Sequence, residues 1–495
     1  RSIYIQMTEV TWGISAMSHD AAISVWHDNE LKFASHSERF SRKKNDSELN
    51  QKLVNYALHW GYPNQCVWYE KRLAKTLRQL RAGQGWRWQD NDAREYLKKF
   101  GINAPFASVE HHHSHAAHAY YSSNFTDATV ICIDSIGEFE TLTVWEAQGT
   151  TLKKRFAQHY PHSIGLWYTA MTQRIGLKPN EDEYILMGMA AYGDPQRLQA
   201  DVAKDFFKDI DPRKFGVKLK HNLHRGCRWW RPDLTTEQDM FDIAAATQAV
   251  YEKILQHISS HARSALPSNN LVLSGGSALN CVANSSIVHA WSDTWIPADP
   301  GDAGSAIGCV LAHKQNFANC ASPFVGCNIE RKYPVENLMI DLAHNGITAV
   351  ANGPAEFGPR ALGNRSLLAD PRGSHISDKV NAIKHRQAFR PFAPAILAEH
   401  ADDYFDGLMG PYMQYTATCK YPQDFPAIAH VDGTSRVQTV SKKDNSGFRE
   451  LLERWYEYTG CPMLLNTSLN VKGQPIVNSR KDAREFEKKY GVTVW

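Results

Sequence analysis

What the sequence lacks narrows the field first. No run of about 18 apolar residues occurs, so no hydrophobic transmembrane helix is expected. The start, "RSIYIQMTEVTWGIS", has no charged, apolar and small-residue succession of a secretory signal, and a cytoplasmic protein is expected. Nine cysteines are scattered without a single CxxC pair, several inside apolar runs such as "VICID" and "AIGCVLA". That pattern suits reduced, buried thiols and not a disulfide or zinc framework. HExxH is absent, which deprives a zinc peptidase of its general base. The formal charge of +3 is too small to announce a nucleic-acid binder, though it permits one.

What is present suits a large α/β protein. An apolar content of 43% and a charged content of 22%, spread over 495 residues, can fill more than one core, so two or more domains are expected. Three short alternating runs near 11–16, 21–27 and 31–37 are broken by the turns "SHD" and "HDNE". The cadence returns near 128–133, 140–147 and 151–158. Helix-like sequence follows each triplet, at 47–60 and 163–175. Two such meanders predict a duplicated α/β unit whose lobes face each other across a nucleotide cleft, unless the echo is chance. An amphipathic helix is expected over 238–266, then an apolar strand "NLVLSGG". A proline and glycine shift near 321–335 predicts a boundary, giving domains 1–325 and 326–495.

The densest chemical signal is "EHHHSHAAHAYYSS", with five histidines in eight positions. His111 and His115 are four apart, so on a helix their imidazoles share a face and can grip one ion. Asp134 ends the buried strand "VICID", where a carboxylate is costly unless it binds something. Asp302 in "DPGDAGSAIG" sits at a turn that opens a helix. Two imidazoles and two carboxylates suit iron(II), manganese or zinc. The bland alternative is a solvated, histidine-rich helix. In "LVLSGGSALNCVANSS", Gly275 and Gly276 form a strand-to-helix turn whose amides can approach a ribose or phosphate, or which merely packs closely. Gly137, beside Asp134, adds a further small-residue loop to that expected cleft.

A second constellation lies near the C-terminus. "EFGPRALGNRSLLADPR" places Arg360, Arg365 and Arg372 among turn residues, and "KHRQAFRPFAP" adds Lys384, Arg386 and Arg390. Arginines gathered on turns predict a small, highly anionic ligand, or else a basic surface. In "PMLLNTSLNVKGQPIV", Thr467, Ser468 and Asn470 follow a buried strand and can face the same anion.

Together "SHDAAISV", "SERFSRKKND", "EHHHSHAAHAYYSS", "DSIGEFE", "YILMGMAAYG", "LSGGSALNCVAN", "PGDAGSAIG", "EFGPRALGNRSLLADPR", "KHRQAFRPFAP" and "LLNTSLN" resemble the O-carbamoyltransferases of nodulation-factor, cephamycin and tobramycin biosynthesis. The resemblance runs from about residue 12 to 480. It implies an N-terminal actin-like duplicated domain binding a metal, usually iron(II), through His111, His115, Asp134 and Asp302. It implies a C-terminal twisted-sheet α/β domain that binds carbamoyl phosphate and forms carbamoyl adenylate from ATP, with Mg2+ accompanying the nucleotide. Lys384 and Arg386 would be catalytic there, beside Ser468 and Asn470. Arg360, Arg365, Arg390, Gly137, Gly275, Gly276, Asn280 and Glu183 are the further expected ligand contacts. Members usually carry glycine where Ser135 stands and a lysine where "DEYILMG" has Tyr184 and Ile185, which leaves nucleotide contacts in that loop open.

His19 in "SHDAA" is the candidate general base toward the acceptor, or a turn histidine bonded to Asp20. Lys43 and Lys44 contact phosphate or stay solvated. His112, His113 and His118 are left with supporting or nucleotide-facing roles. The expected acceptor is a sugar or antibiotic-type hydroxyl, or a hydroxymethylated pyrimidine in a nucleotide or in DNA. The last option rests on "GWRWQD" and "RGCRWWRPDL", whose tryptophans stack bases if they do not pack at a domain interface. A metal-dependent peptidase and a non-catalytic nucleotide-binding regulator are the alternatives from other classes.

Overall fold

In a computed structural model, residues 8–209, 215–320, 322–387, 389, 390 and 392–495 are described. The signal-peptide expectation draws on residues 1–7, and the 384–394 motif includes 388 and 391; these lie outside the described residues.

Two five-stranded sheets make the N-terminal part. The first contains β1 (Val10–Ser15), β2 (Ala22–His27), β3 (Glu30–His36), β4 (Gln65–Trp68) and β5 (Phe106–Ser108), in the order β3-β2-β1-β4-β5. The second contains β6 (Asp127–Gly137), β7 (Glu140–Gln148) and β8 (Thr151–His159). After the hairpin of β9 (Phe207–Asp209) and β10 (Lys218–Leu219), it is completed by β11 (Asn270–Ser274) and β12 (Asp293–Trp295), in the order β12-β11-β6-β7-β8. Each sheet is an antiparallel meander extended by two parallel strands, with the same strand order, so the duplication read from the two cadences is real. The central strand β6 is buried along "ATVICID", as a strand covered on both faces must be. Edge strand β8 instead alternates, with Lys153 and Arg155 outward, which protects an open edge from pairing.

The helix following β5, His111–Ser122, and the helix following β12, Ser305–Lys314, pack against each other where the two lobes meet. Gly308 makes this possible, because a Cβ there would lie 1.9 Å from the Ser114 carbonyl oxygen. The long helix Glu237–Ala265 begins with a reciprocal capping box between Thr236 and Asp239, worth about 1 kcal/mol at the cap.

Beyond lies β13 (Phe324–Ile329), which runs through the expected 325/326 boundary and pairs with β15 (Gly353–Glu356), so the chain passes there as a strand and not as a loose linker. The C-terminal sheet combines β14 (Ile347–Ala351), β16 (Arg365–Ala369), β17 (Ala393–Leu397), β21 (Gln438–Val440) and β22 (Met463–Ser468) in the order β14-β16-β22-β17-β21. The short strands β18 (Phe405–Asp406), β19 (Ala417–Cys419) and β20 (Thr434–Ser435) form a separate sheet. Hydrogen bonds tie this part to both lobes: Arg39 to the Gly358 carbonyl at 2.7 Å, Arg42 to the Ile476 carbonyl at 2.7 Å, and Asn284 to the Gln414 carbonyl at 3.0 Å. All nine cysteines are buried and free of disulfides. Among the described residues no helix is long and apolar enough to cross a membrane.

Candidate active site

Four side chains from three separate segments converge between the lobes. His111 and His115 project from one face of their helix, Asp134 from the strand β6, and Asp302 from the turn that opens the helix Ser305–Lys314; one donor atom of each lies within 4.8 Å of all the others. The two imidazole Nε2 atoms are 3.0 Å apart. Asp302 Oδ1 is 3.4 Å from His111 Nε2 and 3.3 Å from His115 Nε2, and Asp134 Oδ2 is 3.4 Å from His111 Nε2. Two buried carboxylates facing two ring nitrogens are the donor set of a divalent cation, and they fit the expected iron(II), manganese or zinc.

The surroundings hold these donors in place. Gly276 donates its amide to Asp134 Oδ1 at 3.2 Å. A Cβ on Gly137 would fall 2.2 Å from the His111 ring, and one on Gly275 would fall 2.2 Å from the Ile133 carbonyl oxygen. Of the three glycines, Gly137 packs on the His111 ring, Gly275 on the backbone of β6 and Gly276 beside Asp134, which is the close-packing alternative the sequence left open for the Gly275–Gly276 turn. Glu70, which the sequence did not single out, follows β4 and sets its Oε1 3.6 Å from His111 Nδ1. Against the upward push of burial, Lys75 at 2.6 Å and His111 hold the Glu70 carboxyl down at about 2. Such an outer carboxylate fixes the tautomer and orientation of a ligating imidazole. Its only sequence signal is an acid placed just past the end of a buried parallel strand.

The remaining histidines separate. His112 is buried with Nδ1 2.9 Å from Thr143 Oγ1, and His113 stacks on Trp145 with centroids 5.3 Å apart. His118 is buried beside the Asp299 loop, against Gly304. His19 keeps Nδ1 2.9 Å from Asp20 and Nε2 3.1 Å from the Asn180 carbonyl. Burial lowers its pKa but Asp20 outweighs this and raises it to about 10, so the ring is doubly engaged, as the alternative of a turn histidine bonded to Asp20 expected. Lys43 reaches Asp46 at 3.5 Å, while Lys44 pairs with Glu181 at 3.6 Å and lies over the Tyr184 ring.

The second constellation also assembles. Lys384, at the end of the helix Ser374–Lys384, donates to Ser468 Oγ at 3.2 Å, to the Asn470 carbonyl at 3.1 Å and to Asn470 Oδ1 at 2.9 Å. Burial, then Arg386 and Arg390, push its amine well below the ordinary value. Arg360 is pushed down to about 9 by burial and Arg436, and Arg386 to about 8 by burial, Arg390 and Arg436. A guanidinium stays charged in a protein, so these shifts express cations crowded together and not neutralised ones. Arg436 was missed by the sequence; its Nε is buried without a hydrogen-bond partner. Tyr184 crosses over from the N-terminal part and lies under Arg390, 4.6 Å from guanidinium carbon to ring centroid.

Three expected contacts, Arg365, Asn280 and Glu183, and with them Arg372 of the same arginine cluster, are engaged by the protein itself. Arg365 is fully buried and spends its guanidinium on the carbonyls of Cys327, Asn352, Gly353, Asn364 and Asn478, so it staples the loop and faces no ligand. Asn280 caps the helix Cys281–Ser285 and pairs with Gln248 through both amide atoms. Glu183 accepts from Thr169 Oγ1 and the Asn180 amide. Arg372 is turned to Asp370 at 2.8 Å, outside the pocket. Side-chain hydrogen bonding to backbone is a tertiary property that no local pattern betrays.

Two family descriptions match the chain, Carbamoyltransferase N-terminus over residues 62–311 and Carbamoyltransferase C-terminus over residues 340–494. The chain is 33% identical to an uncharacterized protein of Synechocystis, over 95% of this chain and 93% of that one. It is 30% identical to nodulation protein NolNO of Sinorhizobium fredii, over 94% and 76%. It is 26% identical to the 3'-hydroxymethylcephem-O-carbamoyltransferase of Amycolatopsis lactamdurans, over 96% of each chain. The matched regions hold the four convergent donors and most of the cationic pocket, and the chain is an enzyme that belongs to the O-carbamoyltransferase family.

Proposed function

We propose that the two sites work in series as an ATP-dependent O-carbamoyltransferase. In the cationic pocket carbamoyl phosphate, ATP and one water would give carbamoyl adenylate, phosphate and pyrophosphate. At the cradle the oxygen of an acceptor hydroxyl would attack the carbamoyl carbon, the bond to AMP would break, and the hydroxyl proton would leave. An alcohol is a poor nucleophile and a carbamoyl carbonyl a poor electrophile, so a good leaving group is needed. Arg360, Arg386, Arg390, Arg436 and Lys384 would offset the charge of the phosphates and of the departing pyrophosphate, with Mg2+ accompanying ATP. His111, His115, Asp134 and Asp302 would hold the divalent metal, iron(II) by family expectation, which when bound supplies carbonyl polarisation or a more acidic alcohol. The acceptor is a sugar or antibiotic-type hydroxyl or a hydroxymethylated nucleotide.

The observation that supports this best is the crowding of five cations from three segments of the chain, a costly arrangement unless a polyanion visits. Pyrophosphate release from ATP should require carbamoyl phosphate and fall at least tenfold in a folded Arg386→Ala variant. Full release in that variant would remove Arg386 from the site, and no release by the parent protein with any acceptor would leave only a nucleotide-binding regulator.

A further inference from the structure

The two tryptophan-and-arginine motifs, far apart in sequence, meet at the approach to the metal cradle. The segment after the helix Arg72–Arg81 reaches the 221–230 segment through Gln84 Nε2, 3.4 Å from His224 Nε2. Within the second motif Trp230 is core, its Nε1 donating to Asp205 at 2.9 Å, but Trp229 is 54% exposed. Trp86 is 58% exposed and stacks on Trp88, with centroids 6.2 Å apart and planes 15° apart. Interdomain packing therefore accounts for Trp230 at most and leaves three indoles open.

Cations accompany them. Arg81, Arg87, Arg225 and Arg228 are exposed and form no carboxylate ion pair among the described residues. Arg72 lies 4.0 Å over the Trp88 ring and also lines a cavity of about 100 Å³ with Glu70, Lys75, Trp68 and Phe106. Arg78 donates to Gln84 at 3.3 Å and is close enough to the Glu70 carboxylate to feel its charge. Glu70, which lines that cavity, lies 3.6 Å from His111 Nδ1, so the cavity wall and the cradle share a neighbour.

Exposed indoles supply stacking surfaces that every base can use, and unpaired guanidiniums supply phosphate contacts. Trp86 and Trp88 belong to the Gln84 segment and Trp229 to the His224 segment, so the rim formed by these two touching segments carries an exposed indole from each. We propose that this rim binds single-stranded nucleic acid and presents a nucleotide hydroxyl of that strand to the cradle. The proposal rests on the carbamoyl-transfer function above: the hydroxyl oxygen bonds to the carbamoyl carbon, AMP departs, and a proton is released. A single strand already offers its bases, whereas a duplex would have to be opened at a cost of a few kcal/mol.

The test uses the full chain with a fluorescent single strand carrying 5-hydroxymethylcytosine. Binding should weaken steeply between low and moderate salt. It should fall at least tenfold in Trp86→Ala/Trp88→Ala, and separately in Trp229→Ala, each checked for unchanged melting temperature. With ATP and carbamoyl phosphate, digestion to nucleosides and mass spectrometry should show one carbamoyl group gained on the hydroxymethylated base. Absence of binding, full binding in the tryptophan variants, or binding without carbamoyl gain would overturn the proposal. So would weakening by Leu77→Asp alone, which would make the exposed leucine stripe of the helix Arg72–Arg81 the contact. Carbamoyl-phosphate-dependent pyrophosphate release by the parent protein, measured alongside, separates failure of the rim from failure of the transferase chemistry.

Discussion

The metal cradle and the cationic pocket handle charge in opposite ways. In the cradle, acid faces base, and each donor is fixed by a regular element: one helix face for His111 and His115, the strand β6 for Asp134, a helix start for Asp302. In the pocket, cation faces cation: Arg386 and Arg390 crowd the buried Lys384, and Arg436 crowds Arg360, Arg386 and Arg390. On the proposed function the cradle would hold a resident ion, and the pocket would receive a visiting polyanion that relieves its self-repulsion.

The strongest way to break this contrast is to remove a donor. His115→Ala leaves three donors around an ion, and the metal content of the purified variant should fall below about one tenth of the parent's, since loss of an outer partner alone typically costs 10–100-fold in affinity. Unchanged metal content would remove His115 as a ligand. The next effect is that of Glu70→Gln, which keeps the shape but not the charge that fixes His111; metal affinity should fall about 10-fold by competition with a chelator. Equal affinity would make Glu70 a partner of Lys75 only.

The pocket should respond in the other direction. Pyrophosphate at about 100 times its dissociation constant should stabilise the folded protein by about 2.7 kcal/mol, read as a rise of several degrees in melting temperature. Arg436→Ala relieves the crowding but also removes one contact, so the pyrophosphate-induced rise should shrink by at least half while the melting temperature without anion stays level or climbs. A rise of full size would show that Arg436 only borders the site.

How much of this could be read beforehand follows the same division. His111 and His115 were legible because helical spacing alone puts them on one face, and Asp134 because a carboxylate ending an apolar strand asks for a partner. The duplication was legible because both meanders alternate with period two between turn residues. Arg365 and Arg360 lie among the same glycines, and only the folded loop decides that Arg365 finds carbonyls while Arg360 ends beside Arg436 and Arg390. Glu70 and Arg436 stand singly in unremarkable stretches and gain their meaning from residues 41 and 76 positions away, His111 and Arg360.

The smallest expected effect concerns the joint between the N-terminal and C-terminal parts, which links the two sites. His36 at the end of β3 sets Nε2 2.9 Å from Asp299 Oδ2 and packs its ring 4.9 Å from that of Phe357, while Arg39 holds the neighbouring Gly358 carbonyl on the loop that bears Arg360. Charged or titratable groups around the pair are Glu38, Arg39 and His118. Burial and Arg39 push the His36 pKa down, but Asp299 prevails and raises it above the ordinary 6.5; burial pushes Asp299 up, but His36 holds it below 3.8. A histidine raised on folding contributes stability fully below about pH 6.5 and loses it as pH climbs through the raised value; an aspartate lowered on folding contributes above about pH 3.8 and loses it as pH falls further. The pair therefore grips most firmly between those limits and slackens on the alkaline side. His36→Gln, which keeps a hydrogen-bonding group but not the charge, should lower the melting temperature at pH 6 and converge on the parent curve as pH rises toward 9. Parallel curves across that range would show that the joint holds by packing of His36 on Phe357 and that its charge is idle.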